Sequence, residues 1–511
     1  MDPQRSASGS DEGDVGAAPP VPRSEERDPG SITVVETHVS TLLFTGDLVF
    51  KRKKPVDQGF LDFRTVEQRL AACRREVDLN RRLAPDVYLG VADVTLDGEE
   101  LDHLVVMRRM PPERRLAALV DRPEVGTELD RVVDVVAEFH GRAERGPHVD
   151  DACTVDSLRE LWRTGADQLQ RFVPAHLDAA SVERMWELAS RYLAGRRPLI
   201  EDRLAAGRAC DGHGDLLADD IFCLDDGPRL LDCLEFDDRL RYGDVLADVA
   251  FLAMDLQRLG HPELSRRLLD RYREVTGDRW PASLEHLFVA YRAHVRAKVG
   301  LLRAAQGDPD AIAAARRLHD LALEHLRLAE VRLVLVGGAP GTGKSTIATA
   351  LAARLGAVRL SSDDLRGDVV PPEAGPPGQL HAGRYAPERS ESVYAALLER
   401  AGTELAAGRS VVLDASWSTE ARRAAARLVA GERAATLDEL CCELPPEVAA
   451  RRIAARAADG SDSSEVTPEL AAQLSREREP WPEAASVRTD GSPEEAAEAA
   501  WHHLDAIDPP W

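Results

Sequence analysis

Residues Val331–Thr346 read VRLVLVGGAPGTGKST. An apolar β-type run, Leu333 to Val336, leads into Gly338-Ala339-Pro340-Gly341-Thr342-Gly343-Lys344-Ser345, and the run from Thr346, TIATALAARL, is helix-forming. Strand, glycine-rich turn and helix, with the spacing G-x-x-x-x-G-K-[ST], make a phosphate loop in its required context. Glycines let backbone amides converge on phosphate oxygens with no Cβ in the way. The helix N-terminus adds partial positive charge at the same point. Lys344 is expected on the β- and γ-phosphates, and the Ser345 hydroxyl on Mg²⁺. This half of the chain is expected to bind a nucleoside triphosphate.

The chain has 511 residues, enough for about three domains with their own cores. At 44% hydrophobic and 30% charged residues it has an ordinary globular composition. No apolar run approaches the roughly 20 residues that span a bilayer. Its seven cysteines are odd in number and lack metal-ligand spacing, which fits reduced thiols in a cytoplasm. A formal net charge of −24 argues against bulk nucleic-acid or anionic-membrane binding. The only lysines are Lys51, Lys53, Lys54, Lys298 and Lys344, in a chain that otherwise writes Arg. A site that keeps a compact ammonium therefore has reason to need one.

Residues 1–30, rich in Ser, Asp, Glu, Gly and Pro, read as a disordered tail. From Ser31 the pattern becomes two or three antiparallel strands turning at Gly46-Asp47, then a helix over Thr65–Leu83. Leu104–Met107 is a further β-type run, and helical patterns dominate from about Glu128 to Arg208. Ile221–Leu224 and Arg229–Leu234 flank Asp225-Asp226-Gly227-Pro228 as in a hairpin. Helices resume at Val245 and run to Glu330. The domain boundary is placed there, with a first domain over 31–328 and a second over 329–511. No flexible linker marks it, so close packing of the halves is expected.

His213-Gly214-Asp215, followed by Asp220, has the spacing of a protein-kinase catalytic loop, H-x-D-x-x-x-x-[N]. In that fold the first Asp takes the substrate hydroxyl proton and the residue five on holds Mg²⁺. A metal acid is expected after the hairpin, at Asp232, with Glu235 and Asp237 as rivals. HGDLLADDIF and LLDCLEFDDRLRYGD resemble the aminoglycoside-phosphotransferase and choline-kinase-like family. The resemblance implies an α+β protein-kinase-like domain and, from its spacing, a structural acid at Asp244. Asp220 stands where that family has Asn. LVFK, ending at Lys51, resembles the strand carrying the phosphate-pairing lysine; Lys53 is its rival on the same face, and Glu76 the helix partner. No G-x-G-x-x-G is present, and His38–Thr41 stands in its place. His213 reads as scaffold.

In the second half, strand candidates at Val358–Leu360, Ser410–Leu413, Leu437–Glu443 and Ser486–Thr489 alternate with helices, the pattern of an α/β parallel sheet. Val369–Pro387 reads as a surface loop. Ser362-Asp363-Asp364-Leu365-Arg366 follows the second strand and resembles the S-D-x-x-R of small-substrate and polynucleotide 5′-hydroxyl kinases. That resemblance implies Asp363 as proton acceptor and Arg366 as the grip on substrate or phosphate; the alternative is a helix N-cap. Asp414 ends its strand as a Walker-B-like metal acid, and Arg452 and Arg456 are candidate lid arginines before a polar loop. As a whole the chain resembles bacterial two-domain fusions of an aminoglycoside-phosphotransferase-like kinase with an AAA-family P-loop ATPase/kinase. That implies ATP and Mg²⁺ as cofactors and a small-molecule hydroxyl substrate.

Overall fold

The computed structural model describes residues 32–37, 39–56, 62–305, 307–369, 386–459 and 467–504. The expected tail, His38, most of the loop after Val369 and the polar loop after Asp459 lie outside the described residues.

Five antiparallel strands open the fold: β1 (Thr33–Glu36), β2 (Ser40–Thr45), β3 (Leu48–Lys53), β4 (Tyr88–Leu96) and β5 (Glu99–Arg108), in spatial order β1-β2-β3-β5-β4. Gly46-Asp47 forms the two-residue turn into β3, with Gly46 at φ 52°. The helix Val66–Asn80 begins at a capping box in which Thr65 and Gln68 satisfy each other's amides. Its Cys73 and Val77 pack against Val105 of β5. Strand β4 is absent from the sequence expectation. Gly90 and a register shift interrupt its alternation, although Asp97-Gly98, both at positive φ, is strong hairpin chemistry.

Two short pairs follow the helices of residues 125–205: β6 (Ala209–Asp211) returns beside a later strand, and β7 (Ile221–Leu224) turns into β8 (Gly227–Leu230). The hairpin turn is only Asp225-Asp226, and its second strand stops at Leu230 rather than Leu234. Strand β9 (Tyr242–Asp244) is the partner of β6 and feeds the helix Val245–Arg258, buried through almost its whole length.

The second half holds β10 (Arg332–Gly338), β11 (Val358–Ser361), β12 (Val411–Asp414), β13 (Thr436–Glu443) and β14 (Ala485–Arg488). All are parallel, in order β11-β12-β10-β13-β14. Every β10 residue is buried because the sheet is covered on both faces. Val334 and Val336 belong to one core, Leu333 and Leu335 to another, as the period of two requires.

The Leu333 side shares a continuous core with the first half, through Leu287, Leu326 and Ala329. The halves are therefore packed together. Arg196, 1% exposed, crosses the seam. It donates to Leu405 O at 2.9 Å and to Arg433 O, at the C-terminal ends of the helices Pro387–Ala406 and Glu420–Glu432. Burial lowers its pKa to about 10, so it keeps its charge at neutral pH against two negative helix ends. Arg196→Ala is expected to cost on the order of 2–4 kcal/mol, since both carbonyls lose a charged donor. A lower urea midpoint, only partly recovered in Arg196→Lys, is the check.

Candidate active sites

The first site lies between the antiparallel sheet and the helices. Lys51 and Lys53 share one face of β3, and both reach Glu76 of the helix above, at 2.9 Å and 2.5 Å. Lys51 also bonds Asp232 at 2.6 Å, whereas Lys53 bonds Glu235 at 2.5 Å. The Lys51 side chain is 13% exposed and the Lys53 side chain 0%, so Lys51 faces the cleft and Lys53 is sealed. Burial works to lower the Lys51 pKa, yet Asp232 and Glu76 outweigh it and raise it well above the ordinary value. Burial likewise works to raise Glu76, and the two lysines pull it below the usual range.

The loop bearing Asp215 is held from the helix Val245–Arg258. Asp248, buried there, accepts the amides of His213 and Gly214 at 2.8 Å each and pairs with His140 at 3.1 Å. Burial pushes Asp248 upward, but these donors hold it far below the usual carboxylate range. Asp255, one helical segment on, accepts the Ala218 amide at 2.9 Å. The structural acid of the loop is thus Asp248, not the expected Asp244, which caps the helix and pairs with Arg203. His213 is buried and its pKa falls to about 4 through desolvation, so it stays neutral and bonds Leu231 O at 3.1 Å, as a scaffold.

Asp232 has a left-handed backbone, φ 62°, which costs a non-glycine residue about 1–2 kcal/mol. Its amide donates to Tyr88 OH at 3.1 Å and the next amide, of Cys233, to Asn80 Oδ1 at 2.8 Å. Both contacts hold the conformation; neither Tyr88 nor Asn80 stands out in the sequence. Burial raises the Asp215 pKa to about 6, with Arg296, 3.7 Å away, opposing and Asp232 adding to it. Burial, Asp232 and Asp215 push Asp220 well above the carboxylate range. Lys51, Asp215, Asp220, Asp232 and Arg296 line one cavity of about 1710 Å³. Asp237 lines it too, but is taken up by Arg239. In place of a glycine-rich loop, the β1–β2 connection is a Thr37–Ser40 turn closed by the Thr37 hydroxyl.

The second site sits at the C-terminal edge of the parallel sheet, where such sheets bind ligands. Gly338, at φ 143°, has no room for a Cβ, which would stand 2.6 Å from Cys442 O. A Cβ on Gly341, at φ 81°, would stand 2.9 Å from Ala449 O of the helix Pro446–Asp459. Lys344 folds back onto Ala339 O at 2.9 Å; burial lowers its pKa against the pull of Asp414 and Asp363. Ser345 and Thr346 are exposed at the helix start. Asp414, 4% exposed, is bonded by Arg359 at 2.6 Å from the neighbouring strand. Asp363 stands at the cleft mouth within the fields of Lys344 and Arg366, and Arg366 is buried. Arg452 lies beside Gly343 but donates to Thr489 O at 2.8 Å, and Thr489 in turn bonds Thr342 O. The Arg456 side chain lies outside the described residues. Arg359 and Arg478, the latter close enough to Lys344 to depress its pKa, have no sequence signal beyond being arginines.

Each cluster has the make-up of a phosphoryl-transfer site, and the chain is a kinase-type phosphotransferase built as a fusion. A model of the phosphotransferase enzyme family matches residues 41–286, and one of the AAA domain matches 333–481. The chain belongs to one family with the uncharacterized proteins Mb2027c of Mycobacterium bovis and Rv2004c of Mycobacterium tuberculosis. Each is 41% identical over 480 residues, which cover 92% of this chain and 95% of the relative. Among solved structures, a choline/ethanolamine kinase family protein from Mesorhizobium loti is similar at 17% identity, over 58% of this chain and 93% of that one, with TM-score 0.37. The Mycobacterium tuberculosis APS kinase is similar at 22% identity, over 35% of this chain and 99% of that one, with TM-score 0.27. Among the described residues no helix is long and apolar enough to cross a membrane.

The acid cluster generates a stability prediction. Asp220 has a raised folded-state pKa, so its ionisation at neutral pH opposes folding, and that cost disappears as pH falls and the group protonates. In EDTA at pH 7, Asp220→Asn is expected to raise the melting temperature by roughly 2–4 °C. The gain should shrink toward pH 4 in thermal melts.

Proposed function

We propose that the chain is an ATP- and Mg²⁺-dependent phosphotransferase with two nucleotide sites. The first domain, over 31–328, phosphorylates a hydroxyl of a small molecule. The second, over 329–511, phosphorylates a small-molecule or 5′-hydroxyl acceptor. The observation carrying this reading is the convergence of Lys51, Asp215, Asp220 and Asp232 on one cavity, in a chain that also has a complete phosphate loop.

The donor sets fit the proposed cofactors. Among the described residues no group of three or more His, Cys, Asp or Glu side chains is placed to hold a metal ion by itself. Open carboxylates suit Mg²⁺, which keeps waters and takes phosphate oxygens beside one or two acids. In the first site Asp220 and Asp232 would hold the ion, which would supply charge neutralisation at the phosphates. Lys51, oriented by Glu76, exchanges Asp232 for the α/β-phosphates. Asp215, ionised above pH 6, takes the acceptor's hydroxyl proton as the oxygen bonds to the γ-phosphorus and the bond to the ADP oxygen breaks.

In the second site the backbone amides of 338–343 and Lys344 would hold phosphates, while Ser345 and Asp414 would hold the ion. Asp363 receives the proton and Arg366 grips the acceptor. Arg452 and Arg456 close over the nucleotide. The Arg359 contact on Asp414 favours a second reading of this half alone, as an ATP-driven switch in which ion binding displaces Arg359. The presence of Asp363 beside Lys344 favours transfer.

In calorimetry, Lys344→Ala is expected to remove one class of ATP binding and leave the other; loss of all binding would refute two sites. In that background Asp215→Asn should lose roughly a hundredfold or more in kcat across a panel of sugars, amino alcohols and nucleosides, with ATP affinity retained. The parent's kcat/KM should fall as pH drops through about 6, because the base protonates there. Undiminished transfer by Asp215→Asn would make the first half a non-catalytic partner.

A further inference from the structure

The acceptor side of the first cavity is walled by the helices Val155–Leu169 and Ala282–Ala305, and its charge is uneven. Its acids there are already neutralised. Asp156 pairs with Arg197 at 2.9 Å, Glu160 with Arg163 at 2.7 Å, and Asp308 with Arg303 at 2.9 Å. Three of its cations, Arg292, Arg296 and Lys298, are not so matched. Arg296 has only Asp215, at a long 3.7 Å, and its side chain is 27% exposed. Arg292 is buried, donates to a backbone carbonyl, Ala247 O, and has no carboxylate in ion-pair range among the described residues. Lys298 has neither hydrogen bond nor ion pair among the described residues, and nothing compensates its desolvation. It borders the aromatic wall where His294 stacks on Trp162 and Tyr291 packs edge-on. A cavity for a cationic or neutral acceptor has no use for unpaired cations beside its base, since like charge opposes binding.

We propose that the acceptor carries a carboxylate or phosphate group as well as its hydroxyl, and that Arg296 and Lys298 select it. The inference rests on the phosphotransferase reading for the hydroxyl and stands on its own for the anion. Arg296 lies next to Asp215, so an acid group there is close to the reacting hydroxyl. Lys298 offers a second contact toward the aromatic wall, and the stem of the acceptor lies against Trp162 and Tyr291.

The test uses the full chain carrying Lys344→Ala, with Mg²⁺ and a nonhydrolysable ATP analogue. Glycerol 3-phosphate and gluconate are titrated by calorimetry against glycerol, glucose and glucosamine. The anionic probes are expected to bind about tenfold or more tightly than their neutral matches. Lys298→Gln and Arg296→Gln should each remove about tenfold of that preference, and Lys298→Arg should restore part of it. Lys298→Gln should raise the KM of an anionic acceptor while leaving the KM of ATP unchanged. Tighter binding of glucosamine than glucose, or anion binding untouched by both variants, overturns the proposal. Anion binding with no Asp215-dependent transfer to any acceptor instead removes the phosphotransferase reading and leaves the anion site. Asp215-dependent transfer confined to amino or neutral acceptors does the reverse.

Discussion

Glu76 is a fully buried carboxylate that holds Lys51 with one oxygen and Lys53 with the other. An ionised carboxylate in that position is tolerable only with its cations in place, and removing one partner from such a cluster typically costs about 3–5 kcal/mol. The division of labour follows from exposure. Lys53 locks β3 to Glu235 behind the cleft, so that Lys51 is presented at its mouth in a fixed pose. The cluster also joins the antiparallel sheet to the rest of the first half, because Asp232 and Glu235 come from the segment after the hairpin. Two ammonium groups face three carboxylates, and Asp215 and Asp220 stand beside them. Burial is the first reason that Asp215 and Asp220 titrate high, the surplus negative charge adds to it, and a divalent ion would relieve that surplus.

The second site reaches a similar resting state by other means. Lys344 is bonded to Ala339 O and Asp414 to Arg359, so the cation proposed for phosphate and the acid proposed for the metal are each satisfied internally. Neither contact is deeply enclosed on both sides: the Arg359 side chain is 30% exposed. Exchange for a triphosphate and its ion therefore replaces one charged pairing by another, without stranding a buried charge. The glycines keep the loop open for this exchange, and Thr489 fixes it from beneath through Thr342 O.

What was legible in the sequence was local. The phosphate loop, the catalytic loop, the Lys51 strand and the parallel strands are contiguous patterns whose spacing carries their geometry. Asp244 was a wrong assignment for an instructive reason: it caps the buried helix four positions before Asp248, and only the fold shows which carboxylate meets the His213 and Gly214 amides. Asn80, Tyr88 and Arg359 act across sequence separations that no single-chain pattern encodes. The choice between Lys51 and Lys53 likewise rests on which lysine the walls seal. Strand β4 was missed because a glycine and a register shift hide its alternation, even though its Asp97-Gly98 turn was readable.

The seam between the halves bears on why they are fused. Arg196 touches the ends of two helices that flank the parallel sheet, and Ser283 donates to Gly408 O at 2.6 Å, close to the start of β12. Ser283 lies in the first turn of the helix that carries Arg292 and Arg296, and β12 ends in Asp414. The same helix thus touches the second domain at one end and the Asp215 cavity further along. Close-packed elements move as units rather than deforming continuously. A displacement of β12 on ion or nucleotide binding would therefore be borne by that helix, and a flexible linker could not transmit it. Sharing one hydrophobic core, rather than being tethered, is the physical condition under which occupancy of one site can bias the other.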